Sequence, residues 1–223
     1  MADYPEIISP HKYQRTAPIN KITVHHAAAI GVSARQIADQ FTSPLKYASA
    51  NYCIGYNGDI VISVPENMRA VTSSNPANDN RAVTIEVANS GPGPNWPISD
   101  KAWDSLVQLV AEICARNKID KLVWTGDRSG NLTTHNMFAA TVCPGPYLYG
   151  RMPELAEEVN KILDGGNDMF NTLEECPEWA REAVDWAVEH QILRGDGYGL
   201  GLDYRDVRVI TWLYRANKEA QRG

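Results

Sequence analysis

The hydrophobic pattern of the first two thirds of the chain changes repeatedly between the period of a strand and that of a helix. The segments ITVHH, residues 22–26, and AVTIEVANS, residues 82–90, are rich in β-branched residues and alternate as strands do. The segments at 33–41 and 99–117 predict helices, and the second carries apolar residues at helical spacing behind a serine or aspartate that can cap its first turn. This mixture predicts an α/β fold in which helices flank a central mixed β-sheet.

Two shorter patterns predict further strands. In NYCIGYNGDIVISV, residues 51–64, the pair Asn57-Gly58 lies between two strand-like runs and predicts a hairpin. The segment KLVWT, residues 121–125, predicts a short strand after the long helical pattern. Both strands would extend the central sheet.

The composition changes most sharply at LDGGNDM, residues 163–169, where a charged helical pattern ends in paired glycines. We place a domain boundary here, between residues 1–164 and residues 165–223. The second part has helical patterns at 177–192 and 204–219 and predicts a small helical domain. Its predicted core takes one face from each helix, with Trp179, Ala183 and Trp186 on the first and Val209, Trp212 and Leu213 on the second.

The charge balance limits the partners that the chain can bind. The formal net charge is -6 and the pI is near 5.4, whereas nucleic acids and anionic membranes attract basic surfaces, so we exclude nucleic acid as a partner. No stretch approaches the roughly 18 apolar residues of a membrane span, so we expect no membrane insertion. The N-terminus has no apolar run behind a basic segment, so we also expect no signal peptide.

Histidine and cysteine residues form the candidate site. Successive side chains of a strand point to opposite faces, so only one of His25 and His26 can face a common site. With His135 and Cys143 of THNMFAATVCPGP, residues 134–146, that histidine would supply three nitrogen or sulfur ligands. Zinc held by three protein ligands keeps a fourth position for a water whose pKa it lowers to about 7, which is typical of hydrolases.

These residues resemble the zinc-dependent N-acetylmuramoyl-L-alanine amidases of phage lysins, which share a fold with the animal peptidoglycan recognition proteins. The resemblance covers about residues 20–160 and rests on the order and spacing of ITVHHAAA, SANYCIGYNGDI, AVTIEVANS and THNMFAATVCPGP. It implies a peptidoglycan hydrolase that cuts the amide bond between N-acetylmuramic acid and L-alanine. It also implies that His25, His135 and Cys143 bind zinc, while His26 faces away into packing.

The same resemblance places Glu86 and Tyr52 at the metal site. Amide hydrolysis needs a base for the attacking water, a proton for the leaving amine and stabilisation of the oxyanion. Glu86 is the candidate base and then acid, and Tyr52 is a candidate hydroxyl donor to the oxyanion. Many relatives have a lysine two positions before the cysteine, whereas this chain has Thr141, as some catalytic recognition proteins do. Thr141 joins the candidate catalytic residues, and the identity of the second oxyanion donor stays open.

The second part of the chain resembles the C-terminal module of some phage lysins of Gram-positive hosts and, more distantly, one S-layer homology repeat. Such repeats usually bind walls in sets and this chain has one, so wall binding and homodimer formation both stay open. Tyr198 and Tyr204 are expected to be exposed, where they could contact sugar faces or simply close the loop. The implied partner is Gram-positive peptidoglycan, reached after release from the host bacterial cytoplasm, and a phage lysin and a bacterial autolysin fit equally.

Two other functions fit parts of the sequence. A non-catalytic peptidoglycan-binding protein would have the same fold, but such relatives commonly lack the cysteine ligand that this chain keeps. A thiol peptidase would use Cys53 or Cys143 as the nucleophile and His135 as the base. Cys53 lies in a predicted strand rather than at a helix N-terminus, where a thiol pKa is depressed, so the sequence favours this reaction least.

Overall fold

The computed structural model describes residues 4–164, 169–195 and 199–220. The chain forms two compact units, Met1–Val159 and Asn160–Gly223. The glycine pair on which we based the predicted boundary lies outside the described residues. No helix within the described ranges is long and apolar enough to cross a membrane.

Strands and helices alternate through the chain up to residue 163, as the hydrophobic pattern predicts. A 3₁₀ turn, His135–Met137, follows the last strand. The described strands are β1 (Tyr13–Gln14), β2 (Lys21–Ile30), β3 (Tyr52–Ile54), β4 (Ile60–Ile62), β5 (Met68–Arg69), β6 (Ala82–Asn89) and β7 (Leu132–Thr134). The helices are α1 (Ala34–Phe41), α2 (Pro76–Asp79), α3 (Asp100–Arg116) and α4 (Gly145–Leu163).

The central sheet has the strand order β4-β3-β6-β2-β7. Strand β2 lies between β6 and β7 and is parallel to both, with His25 opposite Glu86. Strand β3 is parallel to β6, and β4 is antiparallel to β3 through a turn in which Gly58 has a φ of +82°, a conformation that favours glycine. The predicted mixed sheet and the predicted hairpin are confirmed.

Helices pack against both faces of this sheet. The hydroxyl of Ser33 caps α1 by accepting the backbone N–H of Gln36, and the apolar side of α1 packs against Cys53 and Val61. Because Cys53 lies opposite Glu86, the Glu86 side chain points to this same face. Helix α3, capped by Ser99, packs against β3 and β6 from the other face. The sheet register therefore decides which side chains can share a site.

The predicted strand at residues 121–125 is wrong, since this segment is irregular in the structure. The carbonyl of Val123 accepts the N–H groups of Asn131 and Leu132, which holds the segment beside the start of β7 without forming a ladder. Strand β7 instead contains two fully buried threonines, and the Thr133 hydroxyl donates to the carbonyl of Ile22. A search for apolar residues misses such a strand, because hydrogen bonding allows its polar side chains to be buried.

The second unit contains the predicted pair of helices, α5 (Glu178–Glu189) and α6 (Tyr204–Ala220), which pack against each other. Helix α5 buries Ala183 as predicted, but the predicted buried face of α6 is wrong. Both sides of α6 carry apolar residues at helical spacing, so periodicity alone does not distinguish them. The buried positions are Val207, Ile210 and Thr211, whereas Val209, Trp212 and Leu213 are exposed.

The structure tests the expected exposure of Tyr204 but not that of Tyr198. Tyr204 is only 8% exposed, and its ring centroid lies 5.8 Å from that of Phe170 and 6.1 Å from that of Trp179. The predicted exposure of Tyr204 is therefore wrong, because its ring belongs to the small core of the second unit. Tyr198 lies outside the described residues.

Candidate active site

Three side chains from distant segments meet at the central strand β2. His25 lies in the middle of β2, His135 begins the 3₁₀ turn after β7, and Cys143 precedes α4. The parallel pairing of β2 with β7 puts Val24 opposite Thr134 and brings the two histidine rings to a centroid distance of 4.7 Å. The Nδ1 atom of His25 is 3.7 Å from the Cys143 sulfur. One ligand atom from each residue lies within 4.8 Å of the other two.

The state of these donors fits a metal ion. The Nε2 atoms of His25 and His135 are buried and have no hydrogen-bond partner within the described part of the chain. Burial lowers the pKa of both histidines and keeps the imidazoles neutral, the form that binds metals. Burial and the charge of Glu86 raise the pKa of the Cys143 thiol, so its thiolate needs a neighbouring cation. Two nitrogens and one sulfur form a set that zinc takes in catalytic sites.

Glu86 lies beside this cluster because β6 and β2 pair in parallel. Its Oε1 atom is 3.9 Å from Nδ1 of His25, and its Oε2 atom is buried with no hydrogen-bond partner among the residues described. Burial raises the pKa of Glu86 to about 8, with the positive charge of Lys46 acting in the opposite direction. A carboxyl group with a free oxygen and a raised pKa is suited to proton transfer near neutral pH.

His26 faces away from the cluster, as strand alternation predicts. Its ring centroid lies 5.0 Å from that of Trp96, and its Nδ1 atom is 3.2 Å from Oδ1 of Asn89. Its backbone nevertheless serves the site, since the His26 N–H donates to the Cys143 sulfur at 3.4 Å. This hydrogen bond favours the charged thiolate and partly offsets its burial.

Thr141 is partly buried in the loop that presents the cysteine. Its hydroxyl oxygen accepts the backbone N–H of Cys143 at 3.2 Å. The bond fixes the loop next to the sulfur and leaves the hydroxyl hydrogen for another acceptor. Donation by Thr141 to an oxyanion stays a prediction.

The predicted placement of Tyr52 at the metal site is wrong. Its neighbour Cys53 lies opposite Glu86 in the sheet, so the Tyr52 side chain points to the other face. There the hydroxyl of Tyr52 donates to Glu66 at 2.7 Å and accepts from Arg116 at 3.1 Å. Tyr52 thus joins a partly buried ion pair that links α3 to the sheet.

We expect Tyr52→Phe to weaken the fold and to spare the chemistry. The substitution removes one donor to a buried carboxylate, so the free energy of unfolding should fall by about 1.5–3 kcal/mol. Hydrolysis of a soluble substrate by the folded variant should stay within about twofold of the wild type, because the hydroxyl is on the far face of the sheet. Denaturant unfolding and initial rates measure the two effects. A large loss of activity at unchanged stability would contradict this expectation and show that the Tyr52 hydroxyl takes part in the reaction.

The sequence pattern does not predict the positions of two further residues, Asn136 and Trp96. Asn136 lies in the 3₁₀ turn, where its N–H donates to the carbonyl of Cys143 and its Oδ1 atom accepts the Thr134 hydroxyl. Trp96 lies in the irregular loop GPGPNWP at a φ of 53°. A Cβ atom at Gly145 would lie only 2.9 Å from the Cβ of Trp96, so this glycine permits their close packing. Irregular loops have no periodicity from which such contacts can be predicted.

The sequence matches the model of one protein family, described as N-acetylmuramoyl-L-alanine amidase, over residues 15–146. The matched span is more than half of the chain and contains His25, Glu86, His135 and Cys143. The chain belongs to this family of peptidoglycan amidases, and the predicted enzyme class is confirmed. A comparison of the sequence with curated proteins finds no significant match.

Solved structures of the same fold include phage-type lysins and insect recognition proteins. PlyL is 17% identical with a TM-score of 0.56, over 74% of this chain and 99% of PlyL. A mutant endolysin from Bacillus subtilis is 16% identical with a TM-score of 0.56, over 71% of this chain and 99% of the endolysin. Drosophila peptidoglycan recognition protein SA is 16% identical with a TM-score of 0.52, over 68% and 91% of the two chains. These similarities confirm the predicted fold.

Proposed function

We propose that this chain hydrolyses the amide bond between N-acetylmuramic acid and L-alanine in bacterial peptidoglycan, with zinc held by His25, His135 and Cys143. The observation that carries the proposal is the meeting of these three ligands with the free carboxyl oxygen of Glu86 at strand β2. Structural zinc sites usually have four protein ligands, whereas three would leave a coordination position for water. The three residues therefore suit a hydrolytic metal site better than a structural one.

Zinc, when bound, supplies a water of lowered pKa and polarises the scissile carbonyl. The chain would hold the ion with the two neutral imidazoles of His25 and His135 and the thiolate of Cys143. The backbone N–H of His26 donates to the sulfur and steadies its charge. Thr141 fixes the backbone of Cys143 and so the direction of that ligand.

Glu86 moves the protons of the reaction. Its carboxylate accepts a proton from the attacking water and then delivers that proton to the leaving amine of L-alanine. Burial alone raises the pKa of Glu86 to about 8, and a zinc ion bound beside it would lower that pKa and favour the carboxylate that accepts the proton. With Tyr52 on the other face of the sheet, Thr141 is the candidate side-chain donor to the oxyanion.

Mass spectrometry of the products tests this function. Purified Gram-positive peptidoglycan is digested with the protein alone, with a chelator, and with a chelator followed by added zinc. We expect free stem peptides that begin at L-alanine in the first and third samples and intact peptidoglycan in the second. Equal digestion in the presence of the chelator would contradict the metal, and cleavage at another bond would contradict the amidase.

A non-catalytic peptidoglycan-binding protein is the second candidate. The location of Tyr52 and the presence of Thr141 in place of a lysine remove two groups that could stabilise an oxyanion. Binding to walls without release of new amines during long incubation would favour this candidate.

A thiol peptidase is disfavoured by the surroundings of both cysteines. Cys53 is fully buried beneath α1, and its burial raises its thiol pKa well above the ordinary value. Burial raises the pKa of Cys143 as well. Neither thiol resembles the exposed, depressed-pKa nucleophile that such a reaction uses. Inactivation by an alkylating reagent with the metal retained would reverse this conclusion.

For the second unit we propose either attachment to the Gram-positive wall or formation of a homodimer. The exposed Val209, Trp212 and Leu213 of α6 give this unit an apolar surface that suits either role. Release from a host cell, as in phage lysis, fits this architecture. The molar mass of the protein in solution, measured beside its sedimentation with purified walls, separates the two roles: a monomer that sediments with walls supports attachment, and a dimer that does not supports self-association.

A further inference from the structure

A concavity of about 610 Å³ adjoins the two-stranded ribbon that β1 and β5 form. Tyr13 and Arg69 lie directly opposite each other in this antiparallel ribbon, and both line the concavity. Pro76 and Ala77 of α2 line it as well, and none of the lining residues belongs to the candidate active site. The volume is in the range of small-ligand sites. We call this place the Tyr13–Arg69 site.

Helix α2 lies between the Tyr13–Arg69 site and the sheet face that carries the metal cluster. Its first two residues line the concavity, whereas the side-chain amide of Asn78 donates to the Thr23 hydroxyl at 3.0 Å. Thr23 precedes His25 by two residues on β2, so these two side chains point to the same face of the sheet. A ligand in the concavity therefore does not need to contact the metal ligands.

The guanidinium of Arg69 is a half-buried cation that has no ionic partner in the described part of the chain. Its carbon lies 4.8 Å from the ring centroid of Tyr13, a contact that holds the group in place. Asp79 of α2 is paired elsewhere, because its carboxylate accepts the Ser73 hydroxyl and the backbone N–H of Thr72. The forked N–H groups of Arg69 are therefore left for a ligand, and their geometry matches a carboxylate.

Two exposed tyrosine rings adjoin this cation. Tyr13 is 41% exposed and Tyr47 is 65% exposed, and their hydroxyls are hydrogen-bonded to each other. The ring of His11 packs against Tyr47 at a centroid distance of 5.3 Å. The exposed side-chain amide of Gln14 also lines the site and makes no hydrogen bond within the described residues. Apolar ring surface beside polar groups suits a sugar, which has an apolar C–H face and polar hydroxyls.

The proposed reaction produces a ligand of this description. In the hydrolysis the oxygen of water joins the carbonyl carbon of muramic acid, the C–N bond breaks, and both water protons end on the amine of L-alanine. The products are a carboxylate on the sugar and an ammonium group on the peptide. The sugars of intact glycan are uncharged, whereas glycan stripped of its peptides carries one carboxylate on each muramic acid. The stripped glycan thus combines sugar rings with single negative charges.

Two other components of bacterial walls fit the site less well. The stem peptide has carboxylates but no saturated ring that could lie on the tyrosines. Polymers with a phosphate in every unit need several cations, whereas Arg69 is the single basic side chain among the described residues that line the site. The net charge of -6 on the chain also opposes the binding of a polyanion.

We propose, on the basis of the proposed amidase function, that the Tyr13–Arg69 site binds glycan from which the stem peptides have been removed. Arg69 pairs with a muramic acid carboxylate, and the rings of Tyr13 and Tyr47 contact the adjoining sugar. The site recognises the product rather than the substrate, since the carboxylate exists only after hydrolysis. The protein is thereby retained on a strand that it has begun to strip, close to the stems that are still attached.

Calorimetry of the full zinc-loaded chain with two tetrasaccharides tests the proposal. One alternates N-acetylglucosamine and N-acetylmuramic acid with free carboxylates, and the other is the neutral tetramer of N-acetylglucosamine. We expect the wild type to prefer the acidic tetrasaccharide, and Arg69→Gln to weaken its binding about tenfold while changing the neutral one less than about twofold. Arg69→Lys should keep part of the preference, because it keeps the charge. Tyr47→Ala should weaken both ligands about fivefold, since both contact its ring.

Two control variants separate this proposal from the amidase function itself. Arg35→Gln makes the same change in net charge on α1, where Arg35 pairs with Asp39 at 3.8 Å, and should bind both tetrasaccharides as the wild type does. Cys143→Ala should also bind the acidic tetrasaccharide normally, so this binding supports the site even if no wall is cut. Loss of binding in Cys143→Ala would place the carboxylate at the metal cluster and overturn the proposal. Equal binding by the wild type and Arg69→Gln, no binding at all, or tighter Arg69-dependent binding of the peptide L-alanyl-D-isoglutamyl-L-lysine or of a teichoic acid would overturn it as well.

Discussion

Replacing Cys143 with alanine is expected to remove bound zinc and peptidoglycan hydrolysis together. The substitution leaves two histidines, which hold zinc far more weakly than a set that includes a thiolate. Loss of the metal forfeits several kcal/mol of transition-state stabilisation, so the rate should fall by about three powers of ten or more. Metal content by elemental mass spectrometry and the release of stem peptides measure the two losses on the same sample.

The chain supplies matched controls for this experiment. Cys114 is also buried but lies on α3, so Cys114→Ala should keep both zinc and activity at temperatures where it is folded. Cys53→Ala asks whether a second thiol takes part, and we expect it to keep zinc as well. Full activity of Cys143→Ala without metal would refute the site. Inactivity of Cys53→Ala with zinc in place would revive the thiol mechanism.

Replacing Glu86 with glutamine is expected to give a protein that keeps zinc and loses catalysis. Glutamine preserves the size of the side chain but cannot take and return a proton, and general acid–base catalysis contributes about 10²–10⁴-fold. The Glu86 oxygens are not needed to complete the set of two imidazoles and one thiolate. We therefore expect an unchanged zinc content and a fall in kcat of this size, with substrate binding retained.

Glu66 provides the comparison for this second experiment, since it is a carboxylate on the other face of the sheet. It accepts hydrogen bonds from Tyr52, Arg116 and Asn117, which outweigh burial and hold its pKa below the ordinary value. Glu66→Gln should therefore lower stability and leave the rate of the folded protein intact. If Glu86→Gln lost zinc and activity together, and added zinc restored a near-normal kcat, Glu86 would be a metal-supporting residue rather than the acid and base.

The sequence predicts most of the sheet and the placement of three ligands, because both depend on local alternation and on a family resemblance. The error at Tyr52 shows the limit of this reasoning. A one-residue difference in strand register moves a side chain to the opposite face of the sheet. The pairing of Cys53 with Glu86 depends on tertiary structure and cannot be derived from either strand alone. The strand β7 and the buried face of α6 were missed for a related reason. The hydrophobic pattern does not reveal that the polar threonines of β7 are buried through hydrogen bonds. It also does not reveal which side of α6 is buried, because both sides carry apolar residues.

The position of β2 between two parallel partners also determines when the site exists during folding. His25 and Cys143 are 118 residues apart in sequence, so the three ligands come together only after long loops have closed on both sides of this strand. A metal ion bound by all three ligands binds the native state alone and stabilises it by about 4 kcal/mol at a free concentration a thousandfold above its dissociation constant. Zinc depletion is thus expected to lower the free energy of unfolding of the first unit as well as to stop its chemistry.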